Sequence, residues 1–205
     1  MRYSHIVFDI DGTMTDTEKP DLVSFQRTIK EVTGKDIPWE ELRFAFGIPG
    51  ADALKQMKMD LSALEIWNQH MRSFKDEIEL FPGIREILEV LKGKGCRLGI
   101  VTSKNRKEFE QDFTMFGLND YFDIVICADD TEKHKPFGDP LLKYMEKAGA
   151  QAADVLYVGD SKYDSSCAKD AGVDFVLAGW GTTDRSIECK YLLDDPNEIN
   201  SLLEE

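Results

Sequence analysis

The sequence predicts an α/β protein in which a parallel sheet is covered by helices and a helical unit is inserted after the first strand. From Phe81 onward, short apolar runs alternate with segments of helical pattern. Apolar strands that alternate with helices are typical of a parallel sheet buried on both faces. Between Glu18 and Leu80 the pattern is helical, without a convincing strand, which predicts the insertion.

The strands and the core helices follow in chain order. Short apolar runs bounded by Gly or polar residues indicate the strands, and apolar residues at helical spacing indicate the helices. The predicted strands are 5–8, 97–102, 122–128, 155–158 and 175–177, with 191–193 as a short edge strand. The predicted core helices are one between Gly83 and Gly93, then 106–116, 140–147, one that ends at Ala171, and 196–203.

The insertion contains four predicted helices. The first ends at Gly34, the second starts at Pro38, the third carries Leu54 and Met57, and the longest spans 61–78. Apolar and aromatic residues form one stripe on the longest helix, which is typical of packing against a neighbouring helix.

These elements divide the chain into two expected domains. Residues 1–14 and 81–205 form a Rossmann-like α/β core, and residues 15–80 form a helical domain, whose length is ordinary for a small domain. Ligands bind at the carboxyl ends of the strands in an open parallel sheet. The helical domain would therefore lie above the ligand site as a cap.

Composition and charge exclude several classes of function. The net charge of −14 makes nucleic acid and anionic membranes poor partners. We find neither a signal-peptide pattern nor an apolar stretch of membrane-spanning length. The four cysteines are scattered without a C-x-x-C pair, which favours free thiols in a reducing compartment. We therefore expect a cytoplasmic protein. A monomer or weak homodimer is a separate expectation, because the sequence itself does not show the oligomeric state.

Two carboxylates mark the end of the first strand. Asp9 and Asp11 are two residues apart, so in extended backbone they point to the same side, and Gly12 then allows a sharp turn. Two like charges this close are unfavourable unless a cation lies between them or one carboxylate takes a proton. Taken alone, the pair is also compatible with solvated acids that cap the next helix.

Polar residues follow the other strands as well. Thr102 and Ser103 follow the second strand, Lys135 lies downstream of the third, and Asp160 follows the fourth, with Asp164 four residues further on. Each residue alone has an ordinary structural explanation, such as a helix cap or a surface lysine. Because parallel strands end at the same edge of a sheet, their joint occurrence predicts one acidic crevice.

These residue types suit phosphoryl transfer. A carboxylate can attack phosphorus to form an aspartyl phosphate, and a second carboxylate can protonate the leaving oxygen and then deprotonate the attacking water. Clustered carboxylates suit Mg²⁺, which prefers oxygen ligands. A lysine, a hydroxyl and backbone N–H groups can hold the remaining phosphoryl oxygens.

Over essentially its whole length, the chain resembles the haloacid dehalogenase superfamily of phosphatases. Four motifs carry the resemblance, and their occurrence in this order is far more specific than any one of them. They are Asp9-Ile10-Asp11-Gly12-Thr13, then Val101-Thr102-Ser103, then Lys135-Pro136, and finally Gly159-Asp160-Ser161 with Asp164.

The resemblance implies a role for each motif. Asp9 would be the nucleophile and Asp11 the general acid/base. Thr102, Ser103 and Lys135 would bind the phosphoryl group. Mg²⁺ would be held by Asp9, by the backbone carbonyl of Asp11 and by Asp160, with Asp164 in direct contact or one layer out.

The insertion resembles the helical cap of the phosphoglycolate phosphatase-like and β-phosphoglucomutase-like branch. In that branch the segment equivalent to 43–50 contacts the substrate, so Arg43, Phe46 and Gly47 are candidate specificity residues. Arg43 would meet an anionic group on the leaving moiety, although a surface arginine is an equally good interpretation.

Three functions compete at this point. The first is a phosphatase for a small phosphorylated metabolite, the second a phosphosugar mutase, and the third a non-enzymatic phospho-receiver. Thr13 mildly favours the phosphatase, because the mutases more often carry a bulky aliphatic residue there. A receiver does not need a cap, and Asp11 argues against dehalogenation, because the dehalogenases lack this second carboxylate.

Overall fold

The computed structural model describes residues 2–203, and its centre is a six-stranded sheet. All neighbouring strands are parallel, in the order β3-β2-β1-β4-β5-β6. The strands are β1 His5–Phe8, β2 Arg97–Val101, β3 Ile124–Ile126, β4 Val155–Gly159, β5 Asp174–Ala178 and β6 Tyr191–Leu193.

Seven α-helices accompany this sheet within residues 2–203. Three belong to the insertion, and four cover the two faces of the sheet. They are α1 Glu18–Thr33, α2 Gly50–Gln56 and α3 Ala63–Arg72, followed by α4 Ile84–Gly93, α5 Arg106–Asp112, α6 Asp139–Ala148 and α7 Lys162–Ala171. Longer 3₁₀ helices span Trp39–Ala45 and Pro196–Leu203.

The alternation of side chains along β1 explains why both faces of the sheet are covered. Ile6 and Phe8 point into a cluster that includes residues of α4 and α5, whereas Val7 points into the opposite cluster, built with α6 and α7. All four residues of β1 are buried. β1 is thus a central strand, and the residues that follow it lie in the middle of the row formed by the carboxyl ends of the strands.

Strand register brings the predicted motifs to that edge. Phe8, the last residue of β1, pairs with Ile100 of β2 and with Val158 of β4. Asp9 therefore leaves the sheet at nearly the same level as Thr102 and Asp160. This parallel α/β architecture confirms the predicted fold class.

The insertion packs around its own hydrophobic cluster. Leu22, Phe25 and Ile29 of α1 contact Leu54 of α2 and Trp67 of α3 within this cluster. The rings of Phe25 and Trp67 are stacked, with centroids 4.0 Å apart. The helices of the insertion thus bury most of their apolar side chains against one another.

The two segments that join the insertion to the sheet domain run side by side. The Asp16 N–H donates to Glu79 O at 2.9 Å, and the Phe81 N–H donates to Met14 O at 2.9 Å. Thr15 and Leu80 form an isolated antiparallel bridge between these two bonds. A change in the backbone torsion angles of these two connecting segments would move the whole insertion relative to the sheet.

The helix predicted over 61–78 is wrong at both ends, since α3 spans only Ala63–Arg72. The chain must be extended by Leu80 to pair with Thr15, which leaves no room for another helical turn. A 3₁₀ turn, Lys75–Glu77, makes the transition. The predicted edge strand 191–193 is confirmed, and 196–203 is a 3₁₀ helix instead of an α-helix.

Candidate active site

Asp9 lies at the centre of the site, directly after β1. Its side chain is buried, with only 3% of the residue exposed. Lys135 Nζ lies 2.8 Å from Asp9 Oδ1, and Lys135 is itself buried. A buried carboxylate is stable only with such a partner, so the first and third sequence motifs depend on each other.

Asp164 connects this pair to the fourth motif. Its Oδ1 lies 2.7 Å from Lys135 Nζ and accepts a hydrogen bond from the Tyr157 hydroxyl at 2.7 Å. Its Oδ2 accepts from the Ser161 N–H at 3.1 Å and from Ser161 Oγ at 2.5 Å. Both oxygens of Asp164 are therefore engaged, and its clearest structural effect is to hold Lys135 in place.

Asp160 lies beside the turn that follows Asp9. Thr13 Oγ1 donates to Asp160 Oδ1 at 3.0 Å. Gly12 has a φ of +77°, and a Cβ at this position would collide with the Asp160 carboxylate. Only glycine permits both the left-handed turn and this close approach.

The buried acids have the properties of a divalent metal site. Oxygens of Asp9, Asp160 and Asp164 all lie within 4.8 Å of one another. Burial raises the pKa of Asp9 to about 7 against the opposing effect of Lys135, and burial together with Asp164 and Asp9 raises the pKa of Asp160. A bound cation would lower both pKa values, and carboxylate oxygens are the ligands that Mg²⁺ prefers, so these residues fit that ion.

Asp11 is half-buried and faces the insertion. Thr17 Oγ1 donates to its Oδ1 at 2.9 Å, and Lys104 Nζ lies 3.3 Å from its Oδ2. Lys104 also pairs with Asp112 at 3.1 Å. Sequence reasoning assigned no role to Lys104, although its position directly after Thr102 and Ser103 was a usable signal.

The second motif, Val101-Thr102-Ser103, shapes the loop at the bottom of the site and also contacts the insertion. Thr102 is buried, and its Oγ1 accepts from the Lys104 N–H at 3.2 Å. Ser103 Oγ donates to Gly47 O of the insertion at 2.9 Å. Thr102 therefore shapes the loop after β2, and Ser103 links this loop to the insertion.

The three candidate specificity residues of the insertion lie in different surroundings. Phe46 and Gly47 line the cavity above Asp9 and Asp11. Arg43 lies outside it: its Nε pairs with Glu18 Oε1 at 3.0 Å and about half of its side chain is exposed, at 52%. The structure thus supports the surface interpretation of Arg43 over contact with a leaving group.

The cavity between the insertion and the sheet has a volume of about 60 Å³. Asp9, Asp11, Ser103 and Lys104 form its floor, and apolar side chains from the insertion form much of its roof. Side-chain hydrogen bonds between the insertion and the rest of the chain hold it over the cavity, among them Ser103 to Gly47 O, Tyr163 to Phe44 O at 2.8 Å, and Asn68 to Glu108 at 3.2 Å.

Two further residues near the site were missed from the sequence. Tyr157 is an apolar-looking strand residue whose hydroxyl reaches Asp164, and periodicity alone gives no sign of this contact. Asp21 of α1 lines the cavity, and its Oδ1 accepts from Trp67 Nε1 at 3.1 Å. Asp21 fits the polar side of a helix, so it was not distinguishable from a solvated acid.

A parallel α/β sheet, a buried acid with a lysine at the central strand end, and a helical insertion over both define a class of phosphatases. Within that class, the chain belongs to the haloacid dehalogenase-like hydrolase family, whose profile matches residues 6–178. The predicted family and the predicted enzyme class, a phosphatase, are confirmed.

Named relatives and solved structures agree with this assignment. A protein of Caldanaerobacter subterraneus named "Putative pyrophosphatase PpaX" is 34% identical over 188 residues, which are 88% of this chain and 83% of that protein. Pyrophosphatase PpaX of Halalkalibacterium halodurans is 28% identical over 88% of this chain and 85% of its own length. A solved structure from Lactobacillus plantarum, described as a "putative phosphoglycolate phosphatase", is 32% identical, with a TM-score of 0.87 over 98% of this chain and 100% of that one.

Proposed function

We propose that the protein is a Mg²⁺-dependent phosphatase that hydrolyses a small phosphorylated metabolite through an aspartyl phosphate on Asp9. The observation that carries the proposal is the buried Asp9–Lys135 pair on the floor of a cavity. A buried carboxylate at the end of the central strand, with an ammonium 2.8 Å away, is suited to attack an anionic phosphorus centre.

The proposed reaction has two steps. In the first, an Asp9 oxygen forms a bond to phosphorus while the bond between phosphorus and the leaving oxygen breaks, and Asp11 gives its proton to that oxygen. In the second, Asp11 takes a proton from a water molecule as this water attacks the phosphorus. Inorganic phosphate leaves, and the Asp9 carboxylate is restored.

Thr102, Ser103 and Lys135 are the proposed phosphoryl-binding residues. Lys135 is the strongest candidate, because its ammonium is buried beside Asp9. Burial alone would lower the pKa of Lys135, but Asp164 and Asp9 raise it, so the ammonium stays charged. It offsets the negative charge that collects when a phosphoryl dianion meets a carboxylate.

Asp9, the backbone carbonyl of Asp11, and Asp160 are the proposed ligands of Mg²⁺. The bound ion would offset negative charge on the phosphoryl oxygens. Asp164 was predicted either to touch the metal or to lie one layer out. Its four hydrogen-bond and ion-pair contacts favour the outer position, where it would orient Lys135 and the turn at Ser161.

Residues 15–80 would act as a cap domain over a core made of residues 1–14 and 81–205. Two observations support this division: the insertion has its own hydrophobic cluster, and the two connecting segments lie side by side. Closure of the cap would exclude bulk water from the aspartyl phosphate and bring Phe46 and Gly47 to the leaving group.

The proposed partner is a small phosphorylated metabolite, with no nucleic acid or membrane partner, and the protein would act in the cytoplasm as a monomer or weak homodimer. The scattered cysteines, whose spacing includes no C-x-x-C pair, and the net charge of −14 support this setting. Within residues 2–203, none of the helices is both long and apolar enough to cross a membrane. The names of the relatives make pyrophosphate and phosphoglycolate the first compounds to assay.

The test is phosphate release from a panel of phosphorylated metabolites, with and without Mg²⁺, by the wild type and by Asp9→Asn and Asp11→Asn. We expect release that requires Mg²⁺ and is lost in Asp9→Asn. In Asp11→Asn the loss is about 10²–10⁴-fold, the usual contribution of a general acid/base. Full activity in Asp9→Asn would refute the mechanism, and isomerisation of a hexose phosphate without phosphate release would identify a mutase instead.

A further inference from the structure

The part of the cavity that would hold the leaving group is acidic. Beyond Asp9 and Asp11, its charged lining residues are Asp21 of α1, Glu108 and Asp112 of α5, and Lys104. Three carboxyl groups therefore face one ammonium. An anion that entered this space would meet like charges at short range in a partly buried setting, where they are poorly screened.

Lys104 does not compensate for this acidity. Its Nζ lies 3.3 Å from Asp11 Oδ2 and 3.1 Å from Asp112 Oδ2, and only 14% of its side chain is exposed. Although burial opposes it, attraction to Asp11, Asp112 and Asp21 raises the pKa of Lys104, so its charge is already shared among carboxylates. An incoming anion would have to displace Asp11 or Asp112 to reach this ammonium.

Arg43, the other cation considered for this role, is also engaged elsewhere. Its guanidinium pairs with Glu18 at 3.0 Å and lies over the ring of Trp39, with 5.9 Å to the ring centroid. Among the residues of 2–203 that line the cavity, Lys104 is the only cation. The insertion therefore brings an acid, Asp21, to the leaving group and no positive charge.

Asp21 is held in a defined position above the floor. Trp67 Nε1 donates to Asp21 Oδ1 at 3.1 Å, and Trp67 is fixed in turn by stacking on Phe25 at 4.0 Å. Burial raises the pKa of Asp21 to about 7 while Lys104 opposes the shift, so the carboxylate form predominates above that pH. A fixed carboxylate in this position can accept hydrogen bonds from hydroxyl or ammonium groups.

Most of the remaining lining is apolar and suits a carbon skeleton, with Asn68 and Ser103 as its uncharged polar residues. Phe46, Ile48 and Leu64 lie on the insertion side, together with Trp67 and Met71. An aromatic ring attracts an ammonium to its face, and a carboxylate accepts hydrogen bonds from an ammonium or from the hydroxyl groups of a polyol, so the two together suit either leaving group.

We propose that the substrate is the phosphate monoester of an uncharged or cationic alcohol, such as a polyol or an amino alcohol, and that Asp21 selects against leaving groups with a second negative charge. This inference rests on the proposed phosphatase function. It implies that neither pyrophosphate nor phosphoglycolate, the compounds for which relatives are named, is the preferred substrate, because both compounds release an anion.

The test compares kcat/KM for small phosphoryl compounds of similar size, three monoesters and the anhydride pyrophosphate, at pH 8 with Mg²⁺ present. Glycerol 3-phosphate and phosphoethanolamine carry uncharged and cationic leaving groups, whereas phosphoglycolate and pyrophosphate carry anionic ones. We expect the first pair to exceed the second by at least about tenfold, the effect of one unfavourable charge pair at partly screened distance. Equal rates, or faster hydrolysis of pyrophosphate or phosphoglycolate, would overturn the proposal.

Asp21→Asn tests the assigned residue without a change of shape. The variant should raise kcat/KM for phosphoglycolate relative to glycerol 3-phosphate by about tenfold, since one negative charge is removed. Asp36→Asn is the matched control: Asp36 is an exposed acid of the same insertion, paired with Lys30, and the change should leave this ratio unaltered. A ratio that Asp21→Asn leaves unchanged would overturn the role of Asp21.

An activated ester separates this inference from the proposed function. p-Nitrophenyl phosphate needs little protonation of its leaving group, so any working enzyme of this class should hydrolyse it. If it is hydrolysed and the metabolites show a preference for anions, the selectivity proposal fails and the phosphatase stands. If Mg²⁺ supports no hydrolysis of this ester or of the four metabolites, the phosphatase proposal fails, and the inference fails with it.

Discussion

Lys135 connects the motifs of this site more directly than any other residue. Its ammonium lies 2.8 Å from Asp9 and 2.7 Å from Asp164, and Asp164 in turn accepts from Tyr157 and Ser161. A buried ammonium flanked by two carboxylates has little freedom to move. The position of the proposed nucleophile, which follows β1, thus depends on side chains that belong to or follow two other strands, β3 and β4.

Tyr157→Phe tests this dependence. The variant removes a hydroxyl that donates to Asp164 at 2.7 Å, so Asp164 and Lys135 are less firmly held. We expect kcat to fall about tenfold with KM little changed, because a hydrogen bond to a charged group contributes roughly 1.5–3 kcal/mol. Steady-state kinetics on p-nitrophenyl phosphate measure this.

The control for that variant is Tyr144→Phe. Tyr144 is an equally buried tyrosine whose hydroxyl is 3.0 Å from His5 Nδ1. It belongs to the hydrophobic cluster between the sheet and helices α6 and α7. Both variants should lose some stability, but only Tyr157→Phe should lose kcat. An equal loss of kcat in the two variants would show that Tyr157 acts only through general stability.

Asp21 should make stability depend on pH in a predictable direction. Burial raises its pKa from 3.8 to about 7, so between these values the folded state binds more protons than the unfolded state. The contribution of Asp21 is therefore lost as pH rises through this window. Asp21→Asn cannot ionise, so relative to the wild type we expect its free energy of unfolding to increase from pH 4 to pH 8.

Urea denaturation of the wild type and of Asp21→Asn between pH 4 and pH 8 measures this difference in the free energy of unfolding. Asp36→Asn, which changes an exposed acid of the same insertion, is the control, and its difference from the wild type should vary less with pH than that of Asp21→Asn. A difference for Asp21→Asn that stays constant or shrinks with rising pH would contradict the assigned environment of Asp21.

At the scale of elements, the seam between the insertion and the sheet domain depends on a few hydrogen bonds. Tyr163 of α7 donates to Phe44 O at 2.8 Å, and Ser103 donates to Gly47 O at 2.9 Å. Gly47 has a φ of +87° and lies against Ser161 and Tyr163. The 3₁₀ helix Trp39–Ala45 and the turn after it thus form the part of the insertion that contacts Ser103 of the second motif and the residues of the fourth motif and α7.

Tyr163→Phe should loosen this attachment. Loss of one hydrogen bond of this kind reduces the stability of the closed arrangement by about 0.5–1.5 kcal/mol. Amide hydrogen exchange should become faster in residues 44–50, with little change in the sheet. Tyr121→Phe, which removes a surface bond to Glu89, is the control, and equal exchange rates in 44–50 for both variants would contradict the role of Tyr163.

Elements that follow from local pattern were predictable, and those that depend on distant contacts were not. The strand ends were found because each buried apolar run is followed by polar residues at fixed positions, as at Asp9 and Asp160. The end of α3 was missed because it is set by the bridge between Thr15 and Leu80, which are far apart in sequence. Tyr157 and Asp21 were missed for the same reason: their partners come from other elements.

At the scale of the whole molecule, three buried carboxylates, Asp9, Asp160 and Asp164, lie close together, and the ammonium of Lys135 offsets only part of their charge. Burial raises the pKa of both Asp9 and Asp160, so a cation bound there should favour the folded state. We expect Mg²⁺ to raise the melting temperature and EDTA to reverse the rise, with little effect of either on Asp160→Asn. Differential scanning fluorimetry measures this, and an equal rise in Asp160→Asn would place the ion elsewhere.

The most direct test of the central claim, phosphoryl transfer to Asp9, is the capture of the phosphorylated protein. Asp11→Asn should react with p-nitrophenyl phosphate, whose leaving group needs no acid, but hydrolyse the product slowly because the base is missing. Mass spectrometry after a rapid quench should find one added phosphoryl group on Asp9. It should be absent when Asp9→Asn is combined with Asp11→Asn. Turnover by the wild type without any phosphorylation of Asp9 in Asp11→Asn, or phosphorylation at another residue, would contradict the account.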